Sequence, residues 1–246
     1  MSPEVFVKRW SAWAPDHRDE EAWRDWARAP VAPKGNAHPD VSFLPAMFRR
    51  RCNPLARLML AAAFDGCEAD AASEPRTVFA SRHGSINDSL PLLEALALRK
   101  PLSPTAFSHT VHNVQAGLFS IAAENRQPSS SVSGSADTFE SGFIEALTHL
   151  DRDPERDVLL VVGDHPLHAV FAPLVDEDAV SYAFALLLSR SGSGTALRFE
   201  LAPRRAPASP PPWPTALEFL RWLLSSEERL ETGTGPSRFV WHRARA

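Results

Sequence analysis

Residues 129–150, SSSVSGSADTFESGFIEALTHL, decide how the chain is read. Ser129 to Ala136 has strand character but is built from very small side chains, which lets another backbone come close. Asp137 stands at the N-cap position of a following helix, with Glu140 three residues on in the capping-box position. Along that helix Phe139, Phe143, Leu147 and Leu150 recur on one broad face, and Ser141, Glu145 and Thr148 form a polar stripe. The spacing predicts a buried helix whose first turn follows directly on a close-packing strand. That turn carries Thr138, Phe139 and Glu140.

Working outward, DVLLVVGD at 157–164 and SYAFALLLS at 181–189 are continuous apolar runs of strand length, as expected of strands covered on both faces. Ala196 to Leu201 extends the second as a hairpin through Ser191 to Gly194. Upstream, RTVFASR at 76–82 reads as a buried strand, and Val5 to Trp13 as a first strand rich in β-branched and aromatic residues. Between them, Phe48 to Cys67 predicts a core helix. Asn87 is placed to cap a short helix over Ser89 to Leu98, and Val111, Val114, Leu118 and Ile121 predict another over His109 to Glu124. The order βαβαβαββ argues an α/β layer around a mixed five-stranded sheet.

Residues 202–214 hold six prolines and predict a stiff linker. The expected organisation is therefore a main domain over 1–201, the linker, and an appendage over 215–246 with an amphipathic helix at Thr215 to Leu224 and a strand at Ser237 to His242.

With 246 residues, 44% hydrophobic, the chain can bury a sizeable core. A net charge of -4 supplies no electrostatic drive toward nucleic acid or anionic membrane. The apolar runs at Leu58 to Phe64 and Tyr182 to Leu188 fall well short of the roughly 20 residues of a membrane span. Cys52 and Cys67 lack metal-ligand spacing, and no signal-peptide architecture opens the sequence, so a reducing cytoplasm is the expected compartment.

The segments FRRRCNPLARLMLAAA at 48–63, VFASRHGS at 78–85, LSPTAFSHTVHN at 102–113, SGSADTFESGFIEAL at 133–147 and DVLLVVGD at 157–164 resemble, in this order, the β-ketoacyl synthase-like chain length factors of aryl polyene pigment clusters. The resemblance implies the N-terminal half of a thiolase-type fold, with no room for the second half after residue 190. It also implies a partner, an active ketosynthase, in a heterodimer or larger assembly that meets acyl carrier protein only indirectly. In ketosynthase dimers the second-helix region of one subunit lines the other's pocket. His112, Asn113 and Gln115 are thus the expected tunnel-wall residues.

A ketosynthase needs a thiolate, and a helix N-terminus favours one by lowering the thiol pKa. Counting back from Gly142, aligned with the family's glycine three residues after its cysteine, puts Phe139 at the nucleophile position. A phenyl ring forms no acyl-enzyme, so Phe139 reads as a plug or filler and condensation by this chain alone is not expected. No cofactor or metal is expected either: the pairs His109/His112 and His165/His168 have no third ligand nearby, and Pro166 interrupts the second. The alternative reading is an acyl thioesterase or acyltransferase using Ser135 with Asp164 and His165. The G-x-S-x-G signature is absent, since Ser133 and Asp137 occupy its glycine positions. The strand of small residues also suits antiparallel pairing across a subunit interface.

Overall fold

The structure, a computed structural model, describes residues 4–67, 71–175, 180–203, 213–233 and 237–244. In chain order the elements are β1 (Val5–Trp13), α1 (Glu20–Arg28), α2 (Ala46–Arg49), α3 (Pro54–Gly66), β2 (Arg76–Ala80), α4 (Ile86–Ala97), α5 (Pro104–Ser108), α6 (Val114–Ala122), β3 (Ser129–Val132), α7 (Thr138–Arg152) and β4 (Val158–Asp164). A 3-10 turn at Ala169–Leu174 leads to β5 (Tyr182–Ser189), β6 (Thr195–Pro203), α8 (Thr215–Leu224), β7 (Arg229–Thr232) and β8 (Ser237–Arg243).

The strands form one mixed sheet in the order β3-β2-β4-β5-β1-β6-β8-β7. Strands β3, β2 and β4 are mutually parallel and every other pairing is antiparallel. Alternation along the central strands feeds two cores. Leu159 and Val161 of β4 pack with α3 and α6 on one face, and Val158, Leu160 and Val162 pack with α1, α7 and α8 on the other. Helix α7 lies close on the sheet because residue 142 is glycine: a Cβ there would come within 2.8 Å of the Ala80 Cβ.

Among the described residues the sheet has eight strands rather than five. Besides β6, the tail itself supplies two, because β8 pairs with the open side of β6 over seven residue pairs and β7 then pairs with β8. The tail helix also joins the main core: Leu217, Phe219, Leu220 and Trp222 are fully buried. Residues 204–212 of the expected linker lie outside the described residues.

Three expected helices shift for local reasons. Pro54 takes the first turn of α3 and Asn53 caps it, accepting from Ala56 N at 2.7 Å, so the expected helix from Phe48 divides into α2 and α3. The helix expected from His109 begins at Val114, and a separate short α5 begins at Pro104 under a Ser103 cap. Asn87 lies inside α4 rather than capping it: its amide donates to Pro166 O and accepts from His168 N. Trp23 and Trp26 of α1 are buried, with Trp26 against Trp213 ahead of the tail helix.

Candidate functional site

The register sets Ala80, Val132 and Val162 level at the carboxyl ends of the parallel strands, so three loops open on one edge. This is the edge where open α/β sheets gather their sites. The loop after β3 is a tight elbow. Ser135 takes φ +56°, a left-handed conformation uncommon outside glycine. Thr138 Oγ1 secures the turn by accepting from Gly134 N at 2.9 Å and donating to Ser135 O at 2.6 Å.

The first turn of α7 points into the core. Phe139 is 2% exposed, and its ring centroid lies 4.6 Å from Phe219, 5.4 Å from Trp241 and 5.8 Å from Phe184. It joins α7, β5, α8 and β8 in one aromatic cluster.

Glu140 was expected to complete a capping box, and instead turns inward with no exposed surface, accepting from Thr215 Oγ1 at 3.0 Å. Asp137 keeps the cap position without a side-chain capping bond. Burial pushes the Glu140 carboxyl up to about 7, against the opposing pull of Thr232, its own backbone amide and Thr215; the nearby Asp137 charge pushes the same way as burial. Its Oε1 makes no hydrogen bond of ordinary geometry. The spacing held a signal: Glu140, Phe143 and Leu147 share one face at i, i+3 and i+7.

A pH dependence follows. Below the ordinary carboxyl value of 4.5, Glu140 is neutral in both folded and unfolded chains. From there to about 7 the unfolded chain releases a proton that the folded chain retains, so stability falls as pH rises and then levels off. The shift corresponds to roughly 3 kcal/mol. Glu140→Gln is expected to stabilise the protein by up to about that amount at pH 8 and to change little at pH 4.5. Urea denaturation at both pH values checks it, and parallel pH profiles for the two proteins would refute it.

The expected wall residues separate. His112 is exposed, its Nε2 3.0 Å from Ser81 O, and its ring lies over Gly84 (φ +54°), where a Cβ would meet it at 2.9 Å. Asn113 is exposed at the N-cap position of α6. Gln115 is only 2% exposed and donates from Nε2 to Ser85 Oγ at 3.0 Å. Phe139 belongs to the core on the opposite face of the sheet from α6.

No acid–base set assembles at Ser135. Asp164 accepts from Ser81 Oγ at 2.8 Å and from the Arg82 and His83 amides at 3.1 Å, which closes the loop after β2. Burial raises its pKa against those bonds. His165 Nδ1 pairs with Ser181 Oγ at 2.9 Å, and burial lowers its pKa. His109 ends α5 while His112 precedes α6, so the pair does not share a helix face. Among the described residues no cluster of three or more His, Cys, Asp or Glu could hold a metal, and no helix is long and apolar enough to cross a membrane.

The model of the β-ketoacyl synthase N-terminal domain matches residues 23–242. The chain belongs to the β-ketoacyl synthase N-terminal domain family. Among solved structures, it is similar to a chain of the ketosynthase ApeO in complex with its chain length factor ApeC from Xenorhabdus doucetiae, at 28% identity and TM-score 0.84 over 99% of this chain and 100% of that one. It also matches the ishigamide ketosynthase/chain length factor (16% identity, TM-score 0.62, 81% of this chain and 67% of that one). A type II polyketide ketosynthase complex with its acyl carrier protein, AntDE:AntF, matches at 14% identity and TM-score 0.64 over 84% of this chain and 71% of that one. No curated protein matches. The fold is thiolase-like, and the likeness to chain length factors read from the sequence agrees with these neighbours.

Proposed function

We propose that this protein is a non-catalytic ketosynthase-like subunit, a chain length factor, which pairs with an active β-ketoacyl synthase in the cytoplasm and bounds its acyl tunnel during aryl polyene or related polyketide synthesis. The observation that carries this is Phe139. At the helix start where the family's pattern calls for a thiol, a phenyl ring is sealed into an aromatic core by the tail. The elbow and helix of a nucleophile site are kept, but their first turn packs instead of reacting.

Two surface features support pairing. Strand β3 is one of the two edges of the sheet and is bonded on one side to β2, which leaves the other side for an antiparallel strand from a partner. Separately, α4 has no fully buried residue, and its Leu96 and the Phe107 of the neighbouring α5 are 62% and 61% exposed. Apolar side chains presented together in this way mark an association surface. His112 and Asn113 remain the side chains of this chain proposed to face the partner's tunnel, and carrier protein is met through the partner.

Co-expression with ketosynthase subunits tests the proposal. The chain is expected to co-purify with one of them, and Leu93→Asp with Leu96→Asp is expected to reduce recovery of the complex at least about ten-fold while leaving the circular dichroism of the free chain unchanged. A chain that stays monomeric, with affinity for no ketosynthase or carrier protein, would overturn it.

A further inference from the structure

Helix α4 poses a physical problem. It contains Pro91, which removes a backbone donor within the helix, and it buries no side chain. Twelve residues with Ile86, Leu90 and Leu92 only half-buried and without a full hydrogen-bond ladder make a marginal helix in water. The support lies at its first turn, on polar groups of three neighbouring segments.

Ser85 Oγ, at the N-cap position and buried, accepts from Gln115 Nε2 of α6 at 3.0 Å and from Asn53 Nδ2 at 3.1 Å. Asn53 Nδ2 also donates to Asp88 in the first turn of α4, while Asn53 Oδ1 caps α3. The Asn53 amide is thereby fixed to the α3 frame at one end and grips α4 with the other. On the far side Asn87 Nδ2 donates to Pro166 O at 2.9 Å and Oδ1 accepts from His168 N at 2.8 Å, tying the same turn to the segment after β4.

We infer that Asn53, Ser85, Asp88 and Gln115 form a polar mount that holds the α4–α5 arm preformed for the ketosynthase partner. The inference rests on the pairing proposed above and deepens it. Gln115 and Asp88 become positioning residues for association, acting through the arm without touching the partner. A preformed arm spares the complex the ordering cost that a loose segment would incur on binding. The apolar residues that meet the partner then depend on hydrogen bonds made several residues away.

The test compares Asp88→Ala with Gln115→Met as a double variant, and Asp88→Asn, which keeps an acceptor for Asn53 Nδ2. Hydrogen exchange is measured on the free chain, and affinity on the co-expressed ketosynthase. The double variant is expected to exchange about ten-fold faster at residues 90–99 with β4 and β5 unchanged, and to bind the ketosynthase about ten-fold more weakly. Asp88→Asn is expected to stay near wild type in both. Unchanged exchange in α4, or faster exchange with unchanged affinity, would overturn the inference. If the wild-type chain pairs with no ketosynthase, the functional reading fails, and the exchange comparison alone decides whether the mount holds the arm.

Discussion

Deleting the chain beyond Pro203 is expected to yield an insoluble protein. The deletion removes Leu217, Phe219, Leu220 and Trp222 of α8 and Trp241 of β8, all with zero exposed surface. At about 1.5–3 kcal/mol for each large apolar side chain, their loss equals roughly the whole stability of an ordinary domain, about 5–15 kcal/mol. The damage does not stop at the missing residues. Phe139 and Phe143 lose the rings of Phe219 and Trp241, at 4.6–6.2 Å, and the long outer side of β6 loses β8. An unpaired strand next to newly exposed aromatic surface templates aggregation. Soluble yield and size-exclusion behaviour of the truncated chain, with and without a co-expressed ketosynthase, measure this. A soluble truncation that still recovers the partner would show that the tail is dispensable.

The tail shows where sequence reading reaches its limit. Its helix was legible as amphipathic, because Leu217, Phe219, Leu220, Leu223 and Leu224 mark an apolar stripe, and α8 packs that face against Phe139 and Phe143 of α7. Its strands were legible only in part. Strand β7 is four residues long, with alternating burial that a loop could equally show, and its membership in the sheet depends on β8 having already paired with β6. The central strands β4 and β5 are buried along their whole length, and an unbroken apolar run of that length has few other homes. Helix ends were read less well, since Pro54 and Pro104 each open a helix and Pro91 sits within one.

At the site, sequence placed the elbow, the helix and Phe139, which are local features. It could not show that Glu140 faces α8 across seventy-five positions, or that Gln115 reaches Ser85 instead of a surface. Those side chains take their direction from tertiary partners. A residue three after an N-cap looks the same on the page whether it bends back to the cap or lies beneath another helix.

On the proposed reading, Phe139→Cys puts a thiol at the nucleophile position and is expected to bring no acyl chemistry with it. The helix start favours a thiolate through the free amides and dipole of α7. Two opposing effects are stronger at this position. The thiol would lie under Phe219 and Trp241 in a dry cluster, and burial pushes the Cys67 thiol of this protein up to about 12 even against the Arg9 charge. The adjacent Glu140, once ionised, would add a like charge. The substitution also removes most of a ring from a packed interior, a cavity-forming loss on the order of 3 kcal/mol. The variant should therefore melt lower, label with a thiol reagent no faster than the buried Cys52 and Cys67 do in the native state, and accept no acyl group from an acyl thioester. Rapid labelling of position 139 in the folded chain, or an acyl adduct there, would mean that the first turn opens to the tunnel and that Phe139 replaces a nucleophile in a site still accessible to substrate. Slow labelling that becomes fast only on unfolding would instead show that the tail rings of Phe219 and Trp241 close position 139 off in the folded chain.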